Sequence, residues 1–106
     1  MDRSWPWTSM LYKLRFHELA LKEWQRLDAS LREQFKKKLV ERLANPRIPS
    51  AALSGMPNGY KIKLRKAGYR LVYRVDADIV FVTVIAVGKR DKLRVYVNAQ
   101  DRVIVE

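Results

Sequence analysis

The chain has 106 residues, 22 Lys plus Arg against 11 Asp plus Glu, a formal net charge of +11, a 48% hydrophobic share and no cysteine. That length holds one domain with one modest core; the composition excludes a disordered or fibrous chain, a disulfide framework and a thiolate metal site, and one histidine without clustered carboxylates argues against any metal centre. So large a cationic excess on so small a chain points to a polyanionic partner, nucleic acid before membrane, with an acidic protein as a further partner that need not exclude the first.

Residues 1–9 read as an N-terminal extension and residues 10–106 as the domain, with Met10 a candidate start. The extension lacks the apolar stretch of a signal peptide. Tyr12 to Phe16 is a short strand. His17 to Leu27 is a helix, with Ala20, Trp24 and Leu27 at helical spacing. Asp28-Ala29 breaks it, and Ser30 with Glu33 three residues on is a capping box for a second helix. That helix carries Leu31, Phe35, Leu39 and Leu43 on one stripe and Arg32, Lys36, Lys37, Lys38 and Arg42 on its other faces. It ends at Asn45, because the residue before a proline is driven out of the helical region. A loop with Pro49, Pro57 and two glycines follows, up to Gly59.

The stretch from Tyr60 to Arg74, YKIKLRKAGYRLVYR, is the most informative in the chain. Tyr60, Ile62 and Leu64 alternate with Lys61, Lys63 and Arg65. Past a Lys-Ala-Gly turn, Tyr69, Leu71, Tyr73 and Val75 alternate with Arg70, Val72 and Arg74. As a hairpin, this gathers cations on one sheet face with no carboxylate between them, a cost unless an anion is expected there. A phosphate backbone is the natural anion. The bland alternative is an ordinary solvated sheet face.

Asp76-Ala77-Asp78 is the next turn. Ile79 to Val87 is a strand apolar on both faces, hence central and covered on both sides; it is far too short to span a membrane. Gly88 reads as a turn residue closing the sheet. From Lys92 onward the chain is ambiguous: Val95, Val97, Val103, Ile104 and Val105 favour strand, and Ala99 to Arg102 permits a helical turn. The fold class is α+β: a small antiparallel sheet, two N-terminal helices packed on one face, order β-α-α-β-β-β plus a tail. A reducing, cytoplasmic location fits the absence of cysteine. Tyr60, Tyr69, Tyr73 and Trp24 read as core, and His17 as structural or surface.

Taken in order, ALKEWQRL (Ala20 to Leu27), LREQFKKKLVERL (Leu31 to Leu43), NPRI (Asn45 to Ile48), GMP (Gly55 to Pro57), YKIKLR (Tyr60 to Arg65), GYRLVY (Gly68 to Tyr73) and VGKRD followed by VY (Val87 to Asp91, Val95-Tyr96) resemble the RelE family of bacterial toxin–antitoxin toxins, from about Leu11 to Tyr96. The resemblance implies a ribosome-dependent endoribonuclease that cuts messenger RNA in the ribosomal A site, using no metal or cofactor. Its implied partners are messenger RNA, ribosomal RNA and a cognate antitoxin, with operator DNA reached only through the toxin–antitoxin complex and no membrane. It places the catalytic set on Lys61, Lys63, Arg70, Arg90 and Tyr96. Two departures stand out: Ser54 occupies the position of the family's arginine before GMP, and the tail is richer in β-branched residues.

Metal-free RNA cleavage needs a base for the 2′-hydroxyl, positive charge for the phosphoryl oxygens and an acid for the leaving 5′-oxygen. One histidine cannot supply the usual histidine pair, so the route is electrostatic. Repulsion between neighbouring cations makes a neutral amine accessible at Lys61 or Lys63 as base, assisted by Tyr96, which could instead stack on a base. Arg70 would clamp the scissile phosphate and Arg90 stabilise the leaving oxygen. Arg65, Arg74, Lys36, Lys37, Lys38 and Lys89 are expected to contact RNA by position rather than chemistry. The alternatives are a non-catalytic RNA- or ribosome-binding module and a ParE-like gyrase inhibitor on the same fold; the cation set argues against the latter.

Overall fold

The computed structural model describes residues 12–76, 81–89 and 94–105. Strand β1 (Lys13–Phe16) leads into helix α1 (Glu18–Arg26). His17 caps that helix: its Nδ1 accepts the Leu19 N–H at 3.1 Å, which satisfies one of the helix's orphan donors. Helix α2 (Ala29–Ala44) starts two residues earlier than the expected capping box, because the Asp28 carboxylate takes the Leu31 N–H at 2.9 Å. Ser30 falls inside the first turn and accepts from Gln34 instead. After Asn45-Pro46 the loop holds one 3-10 turn (Pro49–Ala51). Strands β2 (Gly59–Leu64), β3 (Tyr69–Val75) and β4 (Phe81–Lys89) follow, then helix α3 (Arg94–Val105). Gly68 closes the β2–β3 turn at φ 73°, the left-handed conformation that glycine adopts without a steric penalty.

The sheet order is β1-β4-β3-β2. Tight turns make β2, β3 and β4 antiparallel, as their spacing implies, and β1 adds parallel to β4. The parallel pair was not legible from turn lengths, because two helices and a hairpin separate its strands. β2 is an edge strand, and its position there decides how the cations are presented.

One sheet face is the expected one. Tyr60, Ile62, Leu64, Leu71, Tyr73, Val82 and Val84 pack against Leu31, Phe35, Leu39 and Leu43 of α2 and Ala20 of α1. Trp24 bridges Phe16 and Phe35 with ring centroids at 5.4 and 6.3 Å. The tail resolves as a helix. Val95, Ala99 and Val103 recur at helical spacing and pack on Met56, Val72, Ile85 and Ala86 across the second face, and that stripe overrides local β-propensity. A bulge between Val72 and Tyr73 in the β3–β4 register lets Ile85 and Ala86 both serve this face. Gly88 is not a turn residue. It lies inside β4 opposite Arg70, where an added Cβ would meet the Val95 Cβ only at an ordinary contact distance of 4.0 Å.

β1 ends opposite Val84, and beyond that point its side of β4 has no strand neighbour among the described residues. An ion pair takes the strand's place. Glu23 Oε1 accepts the Val87 N–H at 3.0 Å, Arg102 Nη1 donates to the Ile85 carbonyl at 2.9 Å, and the two side chains join through bonds of 2.8 Å. α1 and α3 are thereby tied across the open side of the strand. No described helix is long and apolar enough to cross a membrane. Residues 1–9, Ala77 and Asp78 of the expected turn, and Arg90 lie outside the described residues.

Candidate nucleic-acid interface

Alternation along β2 and β3 turns Lys61, Lys63, Arg70, Val72 and Arg74 away from the α1–α2 core. The register then sets them in rows: Lys61 opposite Val72, and Lys63 opposite Arg70, which in turn faces Gly88 of β4. Lys63 and Arg70 are thus directly paired cations. Arg70 is only 5% exposed. Its Nη1 donates to the Tyr69 carbonyl at 3.1 Å, and among the described residues no carboxylate forms an ion pair with it. A buried guanidinium with no described carboxylate against it is expensive to hold, so its retention needs a reason.

Tyr96 comes from α3 and packs half-buried on the Met56, Val72, Ile85, Ala86 cluster, on the same side of the sheet as Lys61 and Arg70. Four of the five expected catalytic residues, Lys61, Lys63, Arg70 and Tyr96, therefore belong to one face. Arg90, the fifth, lies beyond Lys89 and outside the described residues.

The expected RNA contacts divide. Lys38 and Arg65 line a cavity of about 260 Å³ at the β2 edge together with Lys61, Lys63, Ser50 and Arg42. Lys36 is exposed and sits 3.6 Å from Glu33, and Lys37 is exposed. Lys89 ends β4 opposite Tyr69, so its register assigns it to the α1–α2 face. Arg74 is drawn to the far end of β3. Its Nε lies 3.3 Å from Asp76, whose other oxygen takes Arg15 at 2.8 Å and the Thr83 hydroxyl at 3.2 Å. That placement gives Arg74 a structural ion pair apart from the Lys63–Arg70 row. Ser54 is exposed, just before Gly55.

Sequence reasoning left Arg42 without a site role. Its Nη1 donates to the Lys61 carbonyl at 3.1 Å and to the Tyr73 hydroxyl at 2.9 Å, with the guanidinium 5.7 Å from the Tyr73 ring centroid. Tyr73 in turn donates to the Pro46 carbonyl at 2.7 Å. Burial raises the Tyr73 phenol above its usual value, and the Arg42 hydrogen bond only partly opposes this. The available signal was that Arg42 follows Lys38 by one helical turn; what was missing was the strand order that puts β2 beside that helix face. His17 acts as a helix cap, and among the described residues no group of three or more His, Asp or Glu could hold a metal.

The architecture is a small α+β domain: a mixed four-stranded sheet with a helical pair on one face and, on the other, a C-terminal helix beside a cation row. The family model for the ParE toxin of type II toxin–antitoxin systems matches residues 14–94, and the chain belongs to that family. Within it, the chain is 56% identical over 95 residues to the mRNA interferase toxin RelE of Escherichia coli (strain K12), spanning 90% of this chain and 100% of that protein. The mRNA interferase RelE of Shigella flexneri matches to the same extent. Among solved structures, an arginine-to-alanine double mutant of E. coli toxin RelE in the free state superposes with a TM-score of 0.82 at 55% identity, over 89% of this chain and 99% of that one. The same mutant in complex with an antitoxin RelB peptide gives 0.75 at 57% identity, over 85% and 95%.

Proposed function

We infer that the chain is a RelE-type mRNA interferase, a ribosome-dependent endoribonuclease that cuts messenger RNA in the A site, stops translation and is restrained by a cognate antitoxin. Identity across the full length of two named mRNA interferases supports the activity. The observation that carries the chemistry is the Lys63–Arg70 row, with Arg70 buried and in no ion pair with a described carboxylate. Such a row is held against its own repulsion and lowers its energy when a phosphate arrives.

In-line attack of a 2′-hydroxyl forms a bond to the adjacent phosphorus as the 5′-oxygen leaves, giving a cyclic phosphate end and a 5′-hydroxyl end. Lys61 or Lys63 takes the hydroxyl proton. Arg70 meets the developing charge on the phosphoryl oxygens from a position where little water competes. Tyr96 assists the base or stacks on a nucleobase beside the site. Arg90 is assigned to stabilise charge on the leaving 5′-oxygen, which takes its proton from solvent water. The site as assigned contains no histidine pair, so the isolated protein is a slow nuclease. Ribosomal alignment of the message supplies the missing orders of magnitude by positioning.

Primer extension on messenger RNA in a purified translation system tests this. Discrete cuts within the A-site codon, with cyclic phosphate ends, are expected. Intact message with the protein still bound to ribosomes would leave a binding module. Inhibition of gyrase supercoiling, with the message untouched, would move the chain to the gyrase-poisoning branch.

A further inference from the structure

We propose that the cavity on the α2 side of the β2 edge is a second phosphate subsite, which holds the phosphate next to the scissile one and is anchored by Arg42. The proposal rests on the nuclease reading and extends it along the RNA strand. Lys38, Arg42, Lys61, Lys63 and Arg65 line the cavity with the Ser50 hydroxyl, and among the described residues no carboxylate lines it. Five cations around so small a space make it a place where an anion is favoured.

Arg42 is the pre-organised member. Its Nη1 is committed to the Lys61 carbonyl and the Tyr73 hydroxyl, so its guanidinium is fixed to the backbone of the strand that carries Lys61 and Lys63. Among the described residues its Nε and Nη2 make no hydrogen bond, which leaves donors of a planar fork for a phosphate. The volume of about 260 Å³ is below the roughly 300–1,000 Å³ of cavities that enclose whole small ligands. The space therefore takes the charged group and leaves the nucleobase outside.

Continuity favours RNA over an acidic peptide. Lys61 and Lys63 border the cavity and also stand in register with Val72 and Arg70, so one edge strand adjoins both anion positions. A single RNA strand crossing that edge would place one phosphate at Arg70 and the neighbouring one at Arg42. Arg42 touches the second phosphate and fixes Lys61 through its backbone, and so also positions the first.

The test is binding of a fluorescent single-stranded RNA hexamer, made uncleavable by 2′-O-methyl riboses, across a salt series. Losing one phosphate contact lowers the slope of log K against log salt by about 0.7 for a single strand. Lys38→Gln/Arg42→Gln should show that drop and bind about tenfold more weakly at physiological salt, and Arg42→Lys should recover most of the slope. Lys38→Gln alone, at an exposed side chain, guards against a folding defect and should show part of the drop. An unchanged slope and affinity in the folded double variant, with both reduced in Arg70→Ala, would overturn the subsite and leave the nuclease reading standing. Failure of the unmodified protein to cut message would instead remove the reading beneath it. Normal RNA binding with weakened inhibition by an acidic antitoxin peptide would assign the cavity to protein contact and also overturn the proposal.

Discussion

Arg102→Ala isolates the device that closes the open side of β4. Arg102 makes two hydrogen bonds of 2.8 Å to Glu23 and one of 2.9 Å to the Ile85 carbonyl, and its side chain is 11% exposed against 23% for Glu23. Truncation leaves the Glu23 carboxylate in a mostly buried place with one remaining donor, the Val87 N–H, and strips the Ile85 carbonyl of its partner. Breaking a fully buried pair costs about 3–5 kcal/mol. Partial exposure of Glu23 lets water recover some of this, so the loss should be about 2–3 kcal/mol. For a domain this size that lowers Tm by roughly 10 °C or more. Urea denaturation of the wild type, Arg102→Ala, Glu23→Gln and the double variant gives the single losses and their coupling. The double variant should lose clearly less than the sum of the two singles, because each partner's penalty arises from the other being left behind. A single loss below about 0.5 kcal/mol, or strict additivity, would show that α3 and α1 hold their places without the pair.

Tyr73→Phe removes the hydrogen bonds to Arg42 and Pro46 and should cost about 1–3 kcal/mol at neutral pH. Because burial raises the folded-state phenol, its contribution is complete below about pH 10 and is lost as pH rises through the raised value. The wild type's advantage over Tyr73→Phe should therefore shrink above that pH in parallel denaturation series. Gly59→Ala drives a methyl into Met56 and should destabilise by about 1–3 kcal/mol, read by thermal melting. Arg70→Leu should abolish A-site cutting, a fall of at least about a hundredfold, yet match or exceed wild-type stability, since it removes a cation set against Lys63. A destabilised Arg70→Leu would mean that Arg70 has a structural function.

The helical pair and the hairpin were legible because each had a local cause: the Leu31, Phe35, Leu39, Leu43 stripe, the proline after Asn45, the alternation about Gly68. The two helix starts were nearly right and differed where two capping residues competed, with Asp28 winning over Ser30 because its carboxylate reaches the Leu31 N–H. The tail was undecided for a physical reason. Val95, Val97 and Val103 prefer strands locally, and only the cluster of Met56, Val72, Ile85 and Ala86 on the far sheet face rewards the helix. Gly88 reads as a turn residue because glycine is the usual turn signal, yet β4 runs through it to Lys89. Arg74 and Arg70 look alike in sequence; Asp76, two residues past Arg74, neutralises one and not the other. Arg42 stayed silent because its role depends on β2 being the edge strand.

The two sheet faces divide the work in a way that explains the charge pattern. The α1–α2 face buries Ile62, Leu71, Tyr73, Val82 and Val84 completely beneath the helices. The other face is covered by α3 only over the Val72, Ile85, Ala86 patch, and the Lys63–Arg70 row lies at the hairpin end of the same sheet. Strands hold those cations more rigidly than loops would, and rigidity is what an electrostatic mechanism requires: charges already in place lower a barrier, whereas charges that must first gather spend that gain on reorganisation. Holding them together opposes folding, so the large apolar core and the Glu23–Arg102 clasp are preconditions for the site as well as features of the fold. A histidine pair would tolerate looser geometry, since proton transfer near neutrality supplies part of the driving force. As the proposed phosphate site, a lysine–arginine row lacks that tolerance and would depend on an RNA strand presented in register, which is what a ribosome holding a codon provides.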